Sequence, residues 1–407
     1  MFPISDISGF KLLYYLSIRF IMIDKPMRMH IYKITLIELP KRNKHSWLDD
    51  QRIYGPMIKY EKYSASRGSW MNLDNRVLCI LEDREGNFGT SLTSGGTSVI
   101  GIIKDQLSGF LLNSESININ RTYDLMYNST LPYGHGRIVM SGIAAVDIAL
   151  WNLISKVKKE RIYNMLGGAI NENLKIYGTI STTTRIKNPI YGLYKVAANF
   201  GPEDGRSGIN SLVKIIRRLK KDLGTDKEIA IDCFSSWDPE FTIEVCNSLR
   251  DIGIAWIEDP VEPTDLDGYK IIRRAIPWQK IAAGNFIYDP VEANRFLSTR
   301  TINIIQPDLS WCGGISAAMR MAYNAQTYRV SFSPHNAASQ PWALQVMSAI
   351  PNSGLAELVV TNSISADIPF YLYGKPSGTQ VSPDNLGDLS MQTIEELKND
   401  KKCMEIQ

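Results

Sequence analysis

Asp232, Glu258, Asn285, Asp308 and His335 follow one another at steps of 26, 27, 23 and 27 residues, by subtraction of their positions. Each closes a short apolar run: "EIAID", "IAWIE", "IAAGN", "INIIQPD" and "VSFSPH". Lys195 in "LYKVAA" and Glu357 in "AELVVT" extend the series in both directions. Two acids and an amide on consecutive runs make an all-oxygen donor set. Such a set suits a hard cation such as Mg2+, which takes few carboxylates and keeps water or substrate oxygens in its other positions. Asp308 and His335 offer a second chemistry. A carboxylate beside an imidazole fixes its tautomer and raises its basicity, as a general base requires. The chain has four His, and His335 is the one that closes a run of this kind. The plainer alternative is a set of ion-paired or turn-capping carboxylates, but solvated loops would scatter charge without regard to strand phase.

The elements that must carry these residues follow from the same runs. From about Leu174, eight short apolar runs ("LKIYGT", "LYKVAA", "EIAIDC", "IAWIED", "IAAG", "INIIQPD", "VSFSPH", "AELVVT") alternate with amphipathic helical segments such as "INSLVKIIRRLKKDLG" and "PEFTIEVCNSLRDIG". This alternation predicts a (β/α) barrel of the TIM type, whose chemistry sits at the C-terminal ends of its strands. A doubly wound open sheet would need a Gly-rich turn after its first strand, and none is present. Before it, "HIYKITLIELP" and "RVLCILEDREGNFGTSLT" read as strands, with "DREGN" as a hairpin turn. "VMSGIAAVDIALWNLISKVKKERIYNMLGG" reads as a helix that ends at its double Gly. The expected organisation is an extension without a fold role over residues 1–28, an α+β region over 29–168, the barrel over 169–365 and a final segment over 366–407 with an amphipathic piece, "SMQTIEELKNDKK".

Composition excludes several classes. The 407 residues, 44% hydrophobic and 21% charged, can bury a large core without staples. A net charge of +3, with no long basic run, points to no nucleic-acid partner. Five scattered cysteines without a CxxC pair argue against a disulfide framework or a structural zinc site and for a reducing cytoplasm. Cys233 and Cys312, beside the motifs, read as small buried hydrophobes. "FKLLYYLSIRFIMI" is too short to span a bilayer and is broken by Arg19, so no membrane role is expected. It lacks the flanks of a signal peptide, and translation is expected to begin at Met22, Met27 or Met29, because "MHIYKITLIELP" reads as the first strand.

Taken in order, "SWLDDQRIYGPMIKYEKYSASRGSW", "AAVDIALWNLISKV", "YNMLGGA", "GLYKVAANFGPEDGRSG", "AIDCFSSWD", "WIEDPVEP", "IIQPDLSWCGGIS", "SPHNAAS" and "AELVVT" resemble the enolase superfamily, in its mandelate racemase-like branch and its group of L-rhamnonate dehydratases. The likeness covers nearly the whole chain from about Met29. It implies a modified TIM barrel under an α+β cap built from the N-terminal region and the C-terminal tail. It implies Mg2+ held at Asp232, Glu258 and Asn285, an acid-sugar substrate bound through its carboxylate, and a homo-oligomer. It implies that His335, oriented by Asp308, takes the α-proton. Lys195 resembles the second-strand lysine and would neutralise the substrate. Glu357 resembles the eighth-strand acid, which would donate to the enediolate if protonated. The second lysine of related racemases falls at Ala197, which favours one-base dehydration over racemisation. Arg67 and His45 of the cap and Phe286 of the barrel are the candidates for contact with the substrate's distal end, and Arg137 of "HGR" for its carboxylate.

Three departures from the family pattern stand out. An amide, Asn285, replaces an acid, which leaves two formal negative charges and predicts weaker metal affinity. Phe286 stands where a His is common, and His45 lies one place early. The alternatives to an acid-sugar dehydratase are a paralogue that binds an acid sugar or a partner without turnover, and a racemase or another elimination of the same superfamily.

Overall fold

A computed structural model describes residues 29–39, 52–60, 75–112, 114, 117–360, 368–384, 386–400 and 402–407. The expected extension at 1–28, His45 and Arg67 lie outside the described residues.

Strands β1 (Ile31–Leu39), β2 (Arg76–Asp83), β3 (Phe88–Ser94) and β13 (Lys402–Ile406) form an antiparallel sheet in the order β13-β1-β2-β3. "DREGN" is the β2–β3 turn because Asp83 closes it. Its carboxylate accepts from the N–H groups of Glu85 (3.0 Å) and Asn87 (2.8 Å), and from the Asn87 side chain (2.8 Å). β13 ties the chain's last residues to β1, with Ile34 opposite Ile406. The sequence reading had no strand there, since "KCMEI" is short and carries two charges.

Helix α1 (Arg137–Lys158) covers this sheet. A Cβ on Gly89 of β3 would stand 2.1 Å from the Ala149 carbonyl of α1, so only glycine permits that approach. α1 is long and apolar enough to cross a membrane, yet 78% of its apolar window is buried in the fold, as in a core helix. The stretch read as one helix to the double Gly is two. Lys159 turns left-handed (φ 52°) at the end of α1, and a short helix resumes at Ile162–Met165.

The barrel contains β4 (Leu174–Ile180), β5 (Leu193–Ala197), β6 (Glu228–Asp232), β7 (Ile257–Glu258), β8 (Ile281–Ala283), β9 (Ile304–Ile305), β10 (Ser331–Phe332) and β11 (Ala356–Val359). Each pairs in parallel with the next from β4 to β10, β11 pairs with β4, and a parallel bridge from Phe332 to Ser353 closes the ring. Helices α2 (Gly205–Leu223), α3 (Pro239–Ser248), α4 (Leu266–Ala275), α5 (Pro290–Ser298), α6 (Gly314–Thr327) and α7 (Pro341–Ala349) form the crossovers. Asp238, Asp265 and Asp289 cap α3, α4 and α5 through their carboxylates. One expectation is corrected. No helix joins β4 to β5, because "STTTRIKNPIYG" sets three β-branched threonines, a proline and a glycine where a helix would have to run. The tail also does more than return to β1: β12 (Gln380–Val381) first pairs antiparallel with β4.

The short strands keep strict two-residue alternation. Leu193, Ala230, Trp256 and Leu355 each precede by two residues a polar residue of the series, respectively Lys195, Asp232, Glu258 and Glu357. The first three form a cluster with Tyr177 and Ala282, against which Leu355 packs. This is the apolar floor beneath the polar ring.

Candidate active site

The structure gathers the strand-end residues in two groups. The first centres on Lys195 of β5, which is 1% exposed. Its Nζ lies 2.5 Å from Glu258 Oε1, 2.8 Å from Glu357 Oε1 and 3.6 Å from Asp232 Oδ2. Glu258 also accepts from Trp256 Nε1 (3.0 Å). Glu357 accepts from Thr179 Oγ1 (2.5 Å) and from the Asn336 N–H (2.8 Å). Burial alone would lower the Lys195 pKa, but the charges of Glu258 and Glu357 outweigh it and hold it well above the usual range. Burial would likewise raise the Glu357 pKa. The Lys195 and His335 charges, with the Lys195 and Thr179 hydrogen bonds, reverse that and lower it to about 2.

Two expectations meet their neighbours here. Glu357 has hydrogen-bond donors on both oxygens, and the Lys195 and His335 charges lower its pKa, which favours the carboxylate over the protonated donor that the resemblance implied. Lys195 is engaged by three acids of the protein and so is not a free cation awaiting a substrate. Both outcomes come from neighbours on other strands.

The second group is the dyad. His335 Nδ1 lies 2.9 Å from Asp308 Oδ2, and the imidazole is 23% exposed. Asp308 is held by further donors: Ser310 N–H (2.8 Å), Ser310 Oγ (2.6 Å) and Gln340 Nε2, 3.2 Å from each oxygen. Gln340 is itself oriented by Trp342 Nε1, which donates to its Oε1 at 2.8 Å. Burial opposes the Asp308 charge, yet His335 and Ser310 overcome it and the pKa is lowered. Burial also opposes the His335 charge, but Glu357 and then Asp308 outweigh it and the pKa is raised. With Nδ1 committed to Asp308, Nε2 is the nitrogen available as a base.

Asn285 follows β8 and is 8% exposed, with its Oδ1 buried and without a partner. Gly284 places it there. The Gly284 φ is +132°, and a Cβ would stand 2.8 Å from the Gln306 N–H nitrogen. Phe286 is half-buried beside it. Among the described residues, no group of three or more His, Cys, Asp or Glu is placed to hold a metal ion. The donor set nevertheless fits a hard cation. Asp232, Glu258 and Glu357 face one lysine, and the charge left uncompensated helps burial to raise Glu258 to about 7. A divalent cation beside Asp232, Glu258 and the orphan Asn285 oxygen would balance that charge.

The sequence reading passed over Thr179, Ser310 and Gln340. Only "SxH…Q" proximity in "SPHNAASQP" hinted at Gln340. Asp259 is buried, has φ +40° and accepts from the Gly284 N–H (3.2 Å). Burial, then the charges of Glu258 and Asp232, push its pKa well above the carboxylate range. Arg137, two residues before the stretch read as a helix, begins α1. Its guanidinium lies 3.8 Å from the Trp311 ring, and Nη2 donates to Ser94 Oγ (3.1 Å). Cys233 and Cys312 are fully buried, and burial raises both thiols.

Comparison with known proteins identifies the architecture. The family described as mandelate racemase / muconate lactonizing enzyme, N-terminal domain, matches residues 71–167, and the enolase C-terminal domain-like family matches residues 193–372. The chain belongs to the enolase superfamily. A protein of Caldivirga maquilingensis, provisionally named an L-rhamnonate dehydratase, is 30% identical over 75% of this chain and 77% of its own length. The L-rhamnonate dehydratase of Saccharopolyspora erythraea is 28% identical over 79% and 82%. The crystal structure of L-rhamnonate dehydratase from Gibberella zeae superposes with a TM-score of 0.83 at 27% identity, covering 92% of this chain and 97% of that one. Another structure of the Gibberella enzyme is complexed with Mg. These relationships make the chain an enzyme of the dehydratase kind, a hydro-lyase.

Proposed function

We propose that this chain dehydrates a polyhydroxylated monocarboxylate, an acid sugar of the L-rhamnonate type, to a 2-keto-3-deoxy acid. The observation that carries the reading is the His335–Asp308 pair, 2.9 Å apart at the ends of adjacent strands and beside the Lys195 cluster. His335 Nε2 takes the proton alpha to the carboxylate, and Asp308 stabilises the imidazolium that results. The 3-hydroxyl leaves with the proton returned by His335, and the enol becomes the ketone. Asp232, Glu258 and Asn285 would hold Mg2+. When bound, the cation supplies charge stabilisation to substrate oxygens that grow more negative as the α-proton leaves. Lys195 keeps Glu258 and Glu357 in place and lowers the net negative charge of the mouth. Its raised pKa and three acid partners disqualify it as a second base, and Ala197 supplies none, so dehydration is favoured over racemisation. Arg67 and His45 remain candidates for the substrate's distal end, together with Phe286.

The same reading assigns 29–168 and 366–407 to the cap and 169–365 to the barrel, with a cytoplasmic homo-oligomer as the working form. It is tested by incubating the protein with L-rhamnonate, D-gluconate, D-galactonate and D-arabinonate at high millimolar Mg2+, with detection of the 2-keto product by a carbonyl reagent. Product that vanishes in His335→Asn supports it. One observation favours a second reading, a paralogue that binds without turnover: the third metal donor is neutral. No product from any acid in the wild type, with product restored by Asn285→Glu, would establish that alternative.

A further inference from the structure

Two buried polar atoms beside His335 have no partner in the protein, Trp311 Nε1 and Asn336 Oδ1. Buried indole N–H and amide groups are normally hydrogen-bonded, and an unmet one costs free energy that a bound group can recover. Both residues are held in place rather than loose. The Trp311 ring lies against the Arg137 guanidinium (3.8 Å) and 5.1 Å from the His335 ring. Its N–H backbone group donates to the Asp308 carbonyl at 2.9 Å. Asn336 follows His335 directly. Its N–H donates to Glu357 Oε2 (2.8 Å), and its carbonyl accepts from the Ser339 hydroxyl (2.9 Å).

The backbone adds a second argument. Non-glycine residues with positive φ among the described residues fall into two sets. Lys159, Arg300 and Arg329 end helices, where that conformation is routine. Phe234, Ser235, Asp259 and Asn336 instead follow barrel strands at the mouth, where backbone strain is tolerated for function. Asn336 has φ 53°, a conformation that glycine would adopt at lower cost. An asparagine there keeps an amide at a fixed point next to the base.

We propose that Trp311 and Asn336 are specificity-determining residues that bind hydroxyl groups of the acid sugar next to the carbon His335 deprotonates. The pair supplies one donor and one acceptor, the complement of a hydroxyl group. This inference rests on the acid-sugar reading above. It adds a contact to the hydroxyl chain at the β9 and β10 ends, on the dyad's side of the mouth.

The test uses the His335→Asn protein, which under the proposed mechanism lacks the base and so leaves a bound acid unconsumed. Binding of L-rhamnonate, and of analogues each lacking one hydroxyl, is measured by calorimetry with Mg2+. Trp311→Phe and Asn336→Gly are added singly; the glycine keeps the left-handed backbone and removes only the amide. Each is expected to weaken the complete acid about tenfold, and that loss should vanish for one particular deoxy analogue. A loss equal for every acid, or no loss at all, overturns the proposal. A folded His335→Asn protein that binds none of these acids would overturn the acid-sugar reading itself, and this inference with it.

Discussion

The two halves of the barrel mouth hold similar residues and treat them in opposite ways. On the Lys195 side, charge is closed upon itself: one ammonium meets three carboxylates within 3.6 Å. On the His335 side, Asp308 is saturated by its own donors, while the imidazole beyond it keeps a nitrogen and a partly exposed edge. The first half is built to hold charge still. The second is built to move a proton. What separates them is where hydrogen bonds end: inside the protein in the first, at a free nitrogen in the second.

The contrast can be broken most sharply at His335. His335→Asn should lower kcat by at least about a thousandfold and abolish exchange of the α-proton with deuterated water, with the melting temperature nearly unchanged. A comparable loss from Lys195→Met with unchanged stability would erase the distinction. Lys195→Met is expected instead to act on the fold. It strands buried carboxylates, which costs about 3–5 kcal/mol in thermal or denaturant unfolding.

Asn285→Glu should strengthen Mg2+ binding about tenfold or more, read as a larger Mg2+-dependent rise in melting temperature. An unchanged response would remove Asn285 from the donor set. Because the base must be neutral and its pKa is raised above 6.5, kcat/KM should rise with pH through a value above 6.5. Gln340→Leu, the smallest effect, should move that limb and change kcat several-fold without moving the binding of the acid.

Stability carries its own pH signature. His335, with a raised folded pKa, contributes fully below about 6.5 and loses that contribution as pH rises through the folded value. Asp308, with a lowered one, contributes above about 3.9 and loses it as pH falls through its folded value. Their dyad therefore stabilises most between those limits, and Asp308→Asn should flatten both flanks of the unfolding-versus-pH curve.

Much of this site was legible in the chain because strand-end residues are punctuated locally. Apolar runs, each closed by one polar residue and spaced by 23 to 27 residues from Asp232 to His335, mark one rim of one barrel. Gln340, Ser310 and Thr179 were not legible, because each acts through a partner that folding brings near. Gln340 lies 32 residues from Asp308, and Thr179 lies 178 from Glu357. The missing helix after β4 was readable in the threonines and proline of that stretch, but the regular spacing around it masked the exception. β13 was hidden for a different reason: five residues with two charges gain a partner only when β1 is already in place.

The sequence by itself determined which residues ring the mouth, since side-chain alternation and turn residues are properties of neighbours along the chain. Only the tertiary structure decided their charge. The Glu357 pKa is lowered and the Lys195 pKa raised because a pKa is set by burial and by groups arriving from other strands. The same closure left Asn285, Trp311 and Asn336 with polar atoms facing no protein partner, which no reading of adjacent residues could supply.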